Sequence, residues 1–244
     1  MLSNNRRGYD DLDTLRAAGS NNVQHDLQHI HALMARAPGD EKHDPSALST
    51  LDVLWVLYDR IMRYDPRHPR AESRDRFVLS KGHGPLAFYA ILADKGFFPV
   101  EELDRFMHWD AILGAHPDHN KVPGAETSTG SLGHGLPMAV GMALGLRAKE
   151  SDRRVFALMG DGESNEGSIW EAVLLAGHQQ LGNLTGIFIN NHSSTIPLND
   201  LDQKLRAFGW EATVVNGHDH DQIAAALATA YPMRPTAVVA DIER

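Results

Sequence analysis

The stretch RVFALMGDGESNEGSIWEAVLLAGHQQLGNLTGIFINN, residues 154–191, decides how this chain is read. RVFALM (154–159) is an apolar run too short for a helix and suited to a buried strand. GDG follows it, then a helical stretch through about Leu181, then TGIFIN (185–190) as a second strand. Downstream the alternation continues. Leu201–Phe208 reads as a helix stopped by Gly209, WEATVV (210–215) as a strand, Asp219–Tyr231 as a helix and TAVVADI (236–242) as a last strand. Upstream, RFVLS (76–80) is a further short strand. Strands alternating with helices predict an α/β fold, a mostly parallel sheet flanked by helices.

The first part of the chain reads differently. Leu27, Ile30, Leu33 and Met34 follow helical spacing, and Leu51, Leu54, Leu57, Tyr58 and Ile61 do so again. Ser49 or Thr50 is a candidate cap for the second of these helices. APGDEKHDPS (37–46), rich in turn formers, reads as the loop between them. Residues 1–244 are therefore expected to form one domain with a helical N-terminal segment, about residues 1–65.

Composition narrows the function classes. Of 244 residues, 42% are hydrophobic and 23% charged, the balance of a globular domain rather than a disordered chain. The net charge of −9 argues against nonspecific nucleic-acid binding and against anionic membranes. There is no cysteine, which excludes a disulfide scaffold, a thiolate nucleophile and a thiolate zinc site. The first residues, MLSNNRRGYDDLDTL, carry no apolar signal-peptide core, and no apolar run reaches the roughly 18 residues of a membrane span. A cytoplasmic location is expected.

In parallel sheets ligands sit at the carboxyl ends of strands, where GDG and NN both fall. Asp161 offers a carboxylate oxygen and Asn191 an amide oxygen, hard donors for Mg²⁺ or Ca²⁺. Gly160 and Gly162 let the backbone approach a phosphate. A helix beginning at Glu163 would point its N-terminal amides at an anion. A metal-bridged diphosphate satisfies these features together, whereas GDG alone reads as a turn and NN alone as a loop. His25 and His29, four residues apart, read as a solvated helix face, and His218 in NGHDHD as a turn residue.

GDG followed by NN after a gap of 27 residues resembles the thiamine diphosphate motif, and GDGESNEGSIWEA resembles its transketolase form. SKGHG (80–84), the PG…STGSLG stretch (123–133) and FGW…NGHD (208–219) carry the same resemblance from about residue 25 onward. It implies a thiamine diphosphate-binding (diphosphate-domain) fold. It also implies the N-terminal subunit of a split transketolase, moving a two-carbon ketol unit from a ketose to an aldehyde. Asp161, Asn191 and the main-chain carbonyl of Ser193 would be Mg²⁺ ligands, with Ca²⁺ a substitute. His83, Gly130, Leu132, Gly160, Asp161, Gly162, Glu163 and Asn191 would contact the cofactor. His43, His83 and His116 would face the reacting groups, and Glu166 would join a proton relay with a glutamate of the partner. The implied partners are a pyrimidine-binding subunit, a second copy of this chain, and a ketose or 2-oxoacid donor with an aldehyde acceptor. Two alternatives stay open: a 2-oxoacid decarboxylase or acyloin-type carboligase subunit, and a non-catalytic scaffold for a partner.

Overall fold

The computed structural model describes residues 27–39 and 44–242. Five strands, β1 (Arg76–Leu79), β2 (Val155–Gly160), β3 (Leu184–Asn190), β4 (Glu211–Asn216) and β5 (Thr236–Asp241), form one sheet. Its order is β1-β2-β3-β5-β4, and every neighbouring pair is parallel. Every residue of β2 is buried, as a central strand covered on both faces requires.

Helices cover both faces. On one side lie α1 (Leu27–Ala35), α2 (Asp44–Val56), α3 (Leu86–Asp94) and α7 (His220–Ala228), packed on Phe77, Leu79, Phe156, Leu158, Ile187 and Ile189. On the other lie α4 (Gly135–Ala148), α5 (Gly167–His178) and α6 (Leu201–Ala207), packed on Val78, Ala157, Met159, Phe188 and Val239. The alternation of these strand residues between the two cores follows from the period of two in a pleated strand. Trp210 is fully buried just before β4, and its indole N–H donates to the Val173 carbonyl at 2.9 Å.

The five strands fall where the sequence places them. Two helices, α3 and α4, were not expected from the sequence, and three expected ones differ from it. α2 begins at Asp44, inside the expected loop, because Pro45 pre-sets the first helical turn and has no N–H to lose there. Ser49 and Thr50 are consequently interior to the helix and bond back to the carbonyls of Ser46 (3.0 Å) and Ala47 (2.7 Å) instead of capping it. The expected helix over 163–177 is split. Glu163–Asn165 forms a 3-10 turn, and α5 starts only at Gly167, because the Glu163 carboxylate folds back onto the Gly160 and Gly133 amides. α7 is shorter than expected at both ends, with Asp219 capping the amides of Asp221 and Gln222. His25, His43 and all of the expected helical segment before Leu27 lie outside the described residues.

Candidate active site at the ends of β2 and β3

Gly160 and Ile189 are partners in the β2–β3 ladder, so the residues that follow them emerge side by side. A cavity of about 320 Å³ opens at this point. Pro45 and Ser46 reach it from the first turn of α2, and Lys81 and His83 from the segment after β1. Gly160, Asp161, Gly162 and Glu163 line it from the end of β2, and Ile189, Asn191 and Ser193 from the end of β3. Leu132 closes another side.

Asp161 is only 3% exposed, and its carboxylate takes four donors. Oδ1 accepts from the Gly162 amide (2.7 Å) and the Ser193 hydroxyl (2.9 Å). Oδ2 accepts from the amides of Ser193 (2.7 Å) and Ser194 (3.1 Å). The Ser193 amide also lies 3.3 Å from the Asn191 side-chain oxygen. One carboxylate thus gathers both strand-end loops.

Glu163 and Lys81 are the other buried charges that line the cavity. The Glu163 carboxylate accepts from the Ser80 hydroxyl and from the Gly133 and Gly160 amides. Burial pushes its carboxyl up, while these bonds and Lys81 pull it back. The Lys81 ammonium donates to the Ser46 carbonyl (2.6 Å) and hydroxyl (2.8 Å). Burial pushes it down to about 8, with Glu163 and Asp161 opposing the shift.

Of the other expected residues among those described, His83 and Leu132 line the cavity, and Gly130, His116 and Glu166 do not. A Cβ on Gly82 would lie 2.6 Å from the Gly130 amide nitrogen, and one on Gly130 would lie 2.9 Å from the His116 ring. Only glycine permits this stack, which brings His116 against the segment between His83 and Leu132. His116 itself is exposed and does not line the cavity. Glu166 is exposed, precedes the first turn of α5 without a side-chain capping bond and packs on Gly133, also outside the cavity lining. Among the described residues no three His, Asp or Glu side chains cluster to hold a metal. His119 lies against the Ala125 carbonyl at 2.8 Å, whereas His218 and His220 both bond Asp52 (3.0 and 2.7 Å). The sequence reading missed Lys81 and Ser46. Their signal was the lysine of SKGHG, which a run of polar residues after a strand hides as ordinary surface.

Residues 27–241 match the model of the transketolase thiamine diphosphate-binding domain. The chain belongs to this family. It is 49% identical over 217 residues to a protein named ferredoxin fas2 from Rhodococcoides fascians, covering 88% of this chain and 71% of that one. It is 40% identical over 220 residues to the 6-deoxy-6-sulfo-D-fructose transketolase subunit SqwG of Clostridium sp., covering 85% of this chain and 80% of that one. Transketolase from Leishmania mexicana superimposes with a TM-score of 0.73 at 28% identity, over 83% of this chain and 36% of that one. The chain therefore spans about a third of that one-chain transketolase and most of the separate subunit. Among the described residues no helix is long and apolar enough to cross a membrane.

Proposed function

We propose that this transketolase-family chain is the diphosphate-side subunit of a two-chain enzyme. Bound at the end of β2 and β3, thiamine diphosphate would supply the electron sink for breaking and forming the carbon–carbon bond. The observation that carries this reading is the pairing of Asp161 and Asn191 on one cavity at adjacent strand ends. Similarity to SqwG over 80% of that subunit's length supports a separate partner for this chain as well.

The donor set fits the metal expected with a diphosphate. A buried carboxylate, an amide oxygen and the Ser193 main-chain carbonyl are hard ligands, and they leave room for phosphate oxygens and water around Mg²⁺. Both Asp161 oxygens already accept two donors each, and rotation of the Ser193 hydroxyl would free Oδ1 to hold a metal ion. Gly162 leaves the diphosphate side open, since a Cβ there would meet nothing within 4 Å. Lys81 balances phosphate charge from below, held by Ser46. Glu163 holds Gly133 and Gly160 in place and shapes the wall that Leu132 completes.

His83, which lines the cavity, and His116, whose ring lies against Gly130, would move protons at the substrate's hydroxyl and carbonyl oxygens. His43 would join them from the segment before α2. Glu166, exposed beside Gly133, would meet a glutamate of the partner subunit. Self-association is assigned to α4 and α5, where Gly141 and Gly145 have open faces and Leu174 and Leu175 are exposed. Two copies of each subunit would complete the assembly.

The test is to assay the chain with its partner subunit, thiamine diphosphate and Mg²⁺ against ketose donors with aldehyde acceptors, and against 2-oxoacids. A new ketose formed with release of the shortened aldehyde supports transketolase activity. Release of carbon dioxide from 2-oxoacids alone assigns the site to decarboxylation instead.

A further inference from the structure

We propose a second binding site, for a phosphate-class oxyanion, in a cavity between residues 69–74 and 119–125. It has a volume of about 140 Å³ and shares no lining residue with the cavity at Asp161. Arg70, Arg74, His119, Asn120 and Lys121 line it, and among the described residues no aspartate or glutamate does. In a chain of net charge −9, so many cationic groups on one small cavity run against the average.

The charges there are only partly used. Arg70 and Lys121 have no ion-pair partner among the described residues. Arg74 donates to Glu126 (2.7 Å) and to the Asp75 carbonyl (3.1 Å), yet its Nε is buried with no acceptor. Glu126 is shared with Arg76, and Asp118 Oδ1 is taken by the Asn120 amide (2.9 Å) and the Ser128 hydroxyl (3.2 Å). No carboxylate therefore closes an ion pair with Arg70 or Lys121 among the described residues, although the charge of Asp118 is felt at Lys121. An oxyanion in the cavity would supply acceptors and opposite charge to the lining cations at once. The fork of an arginine with a lysine suits phosphate. The volume admits a phosphate group and leaves any ester tail in solvent.

Occupancy would be felt at His116. The His119 amide donates to Ser128 Oγ at 3.0 Å, and the Thr129 amide to the Pro117 carbonyl at 3.2 Å. Through these bonds the wall of the second cavity continues into the segment whose Gly130 supports the His116 ring. An anion held by Arg70 and Lys121 would brace that segment from the side away from the cofactor cavity.

The test is calorimetric titration of the chain with inorganic phosphate and, separately, glycerol 3-phosphate, at constant ionic strength against chloride. The variants are R70A/K121A, the control R206A/R234A, which removes the same charge elsewhere, and K121R, which keeps it. Saturable binding is expected in wild type, the control and K121R, with affinity at least about tenfold weaker in R70A/K121A. Tighter binding of the ester would identify an organic phosphate as the occupant; equal binding would identify free phosphate. No saturable binding in wild type overturns the proposal. Equal affinity in R70A/K121A also overturns it, because the anion would then sit elsewhere, as at Asp161.

Discussion

The Ser193 amide donates to Asp161 Oδ2 at 2.7 Å, and this bond ties the loop after β3 to the loop after β2. The Ser193 hydroxyl and Ser194 amide reinforce it on the same carboxylate. Asn191 is thereby held beside Asp161 before any ligand arrives. Preorganisation of this kind lowers the ordering cost of binding a metal and a diphosphate.

Asp161→Ala is therefore expected to do two things. In the assembled enzyme it abolishes Mg²⁺-dependent binding of thiamine diphosphate. In the chain alone it frees the loop, so the Ser193 and Ser194 amides exchange faster and stability falls by about 1 kcal/mol or more, the net loss of hydrogen bonds to a charged acceptor from partly exposed donors. Calorimetry showing unchanged cofactor affinity contradicts the assignment.

His116→Ala separates chemistry from binding. The ring rests on Gly130 and does not line the cavity, so cofactor affinity is expected to stay within about tenfold, or ~1.4 kcal/mol. Turnover is expected to fall by about 10²–10⁴, the usual contribution of an acid–base group. Turnover near wild type would make His116 a packing residue. Removal of Mg²⁺ with a chelator has the opposite signature, with loss of cofactor binding first.

The strands and the two ends that carry Asp161 and Asn191 were legible because RVFALM and TGIFIN are unbroken apolar runs bounded by turn residues. The rest depends on contacts between distant parts of the chain. Lys81 meets Ser46 across 35 residues, and Asp52 meets His218 and His220 across more than 160. No local period reports such pairs. The split between the 3-10 turn and α5 was hidden for the same reason. Glu163 looks like an ordinary first-turn acid until Ser80 and Gly133 are seen to claim its carboxylate.

Lys81 gives the chain a pH signature. Its folded value of about 8 lies below the ordinary 10.5, so between these the unfolded chain holds a proton that the folded chain has lost. Stability rises with pH wherever the unfolded state binds more protons. The cost of burying the charged ammonium is felt in full below the folded value and is relieved above it. Relative to Lys81→Met, wild type is expected to gain about 2 kcal/mol between about pH 7.5 and about pH 10, read by denaturant unfolding at each pH. Parallel profiles for the two proteins would place the lysine in contact with water.

The exposed pair Leu174 and Leu175 tests self-association. Replacing both with aspartate puts two charges on the face of α5 that is 55% and 44% exposed at these positions. The isolated fold is expected to lose less than about 0.5 kcal/mol, the scale of surface changes. Sedimentation velocity is expected to show a dimer in wild type and a monomer in the variant. A variant that still dimerises moves the interface away from α5.

The most direct test compares the chain alone with the chain plus the proposed pyrimidine-domain subunit, both freed of host transketolase. Each is supplied with thiamine diphosphate, Mg²⁺, a ketose donor and an aldehyde acceptor. The account requires two-carbon transfer to appear only on mixing and to saturate at one partner per chain. Robust transfer by the chain alone would contradict it.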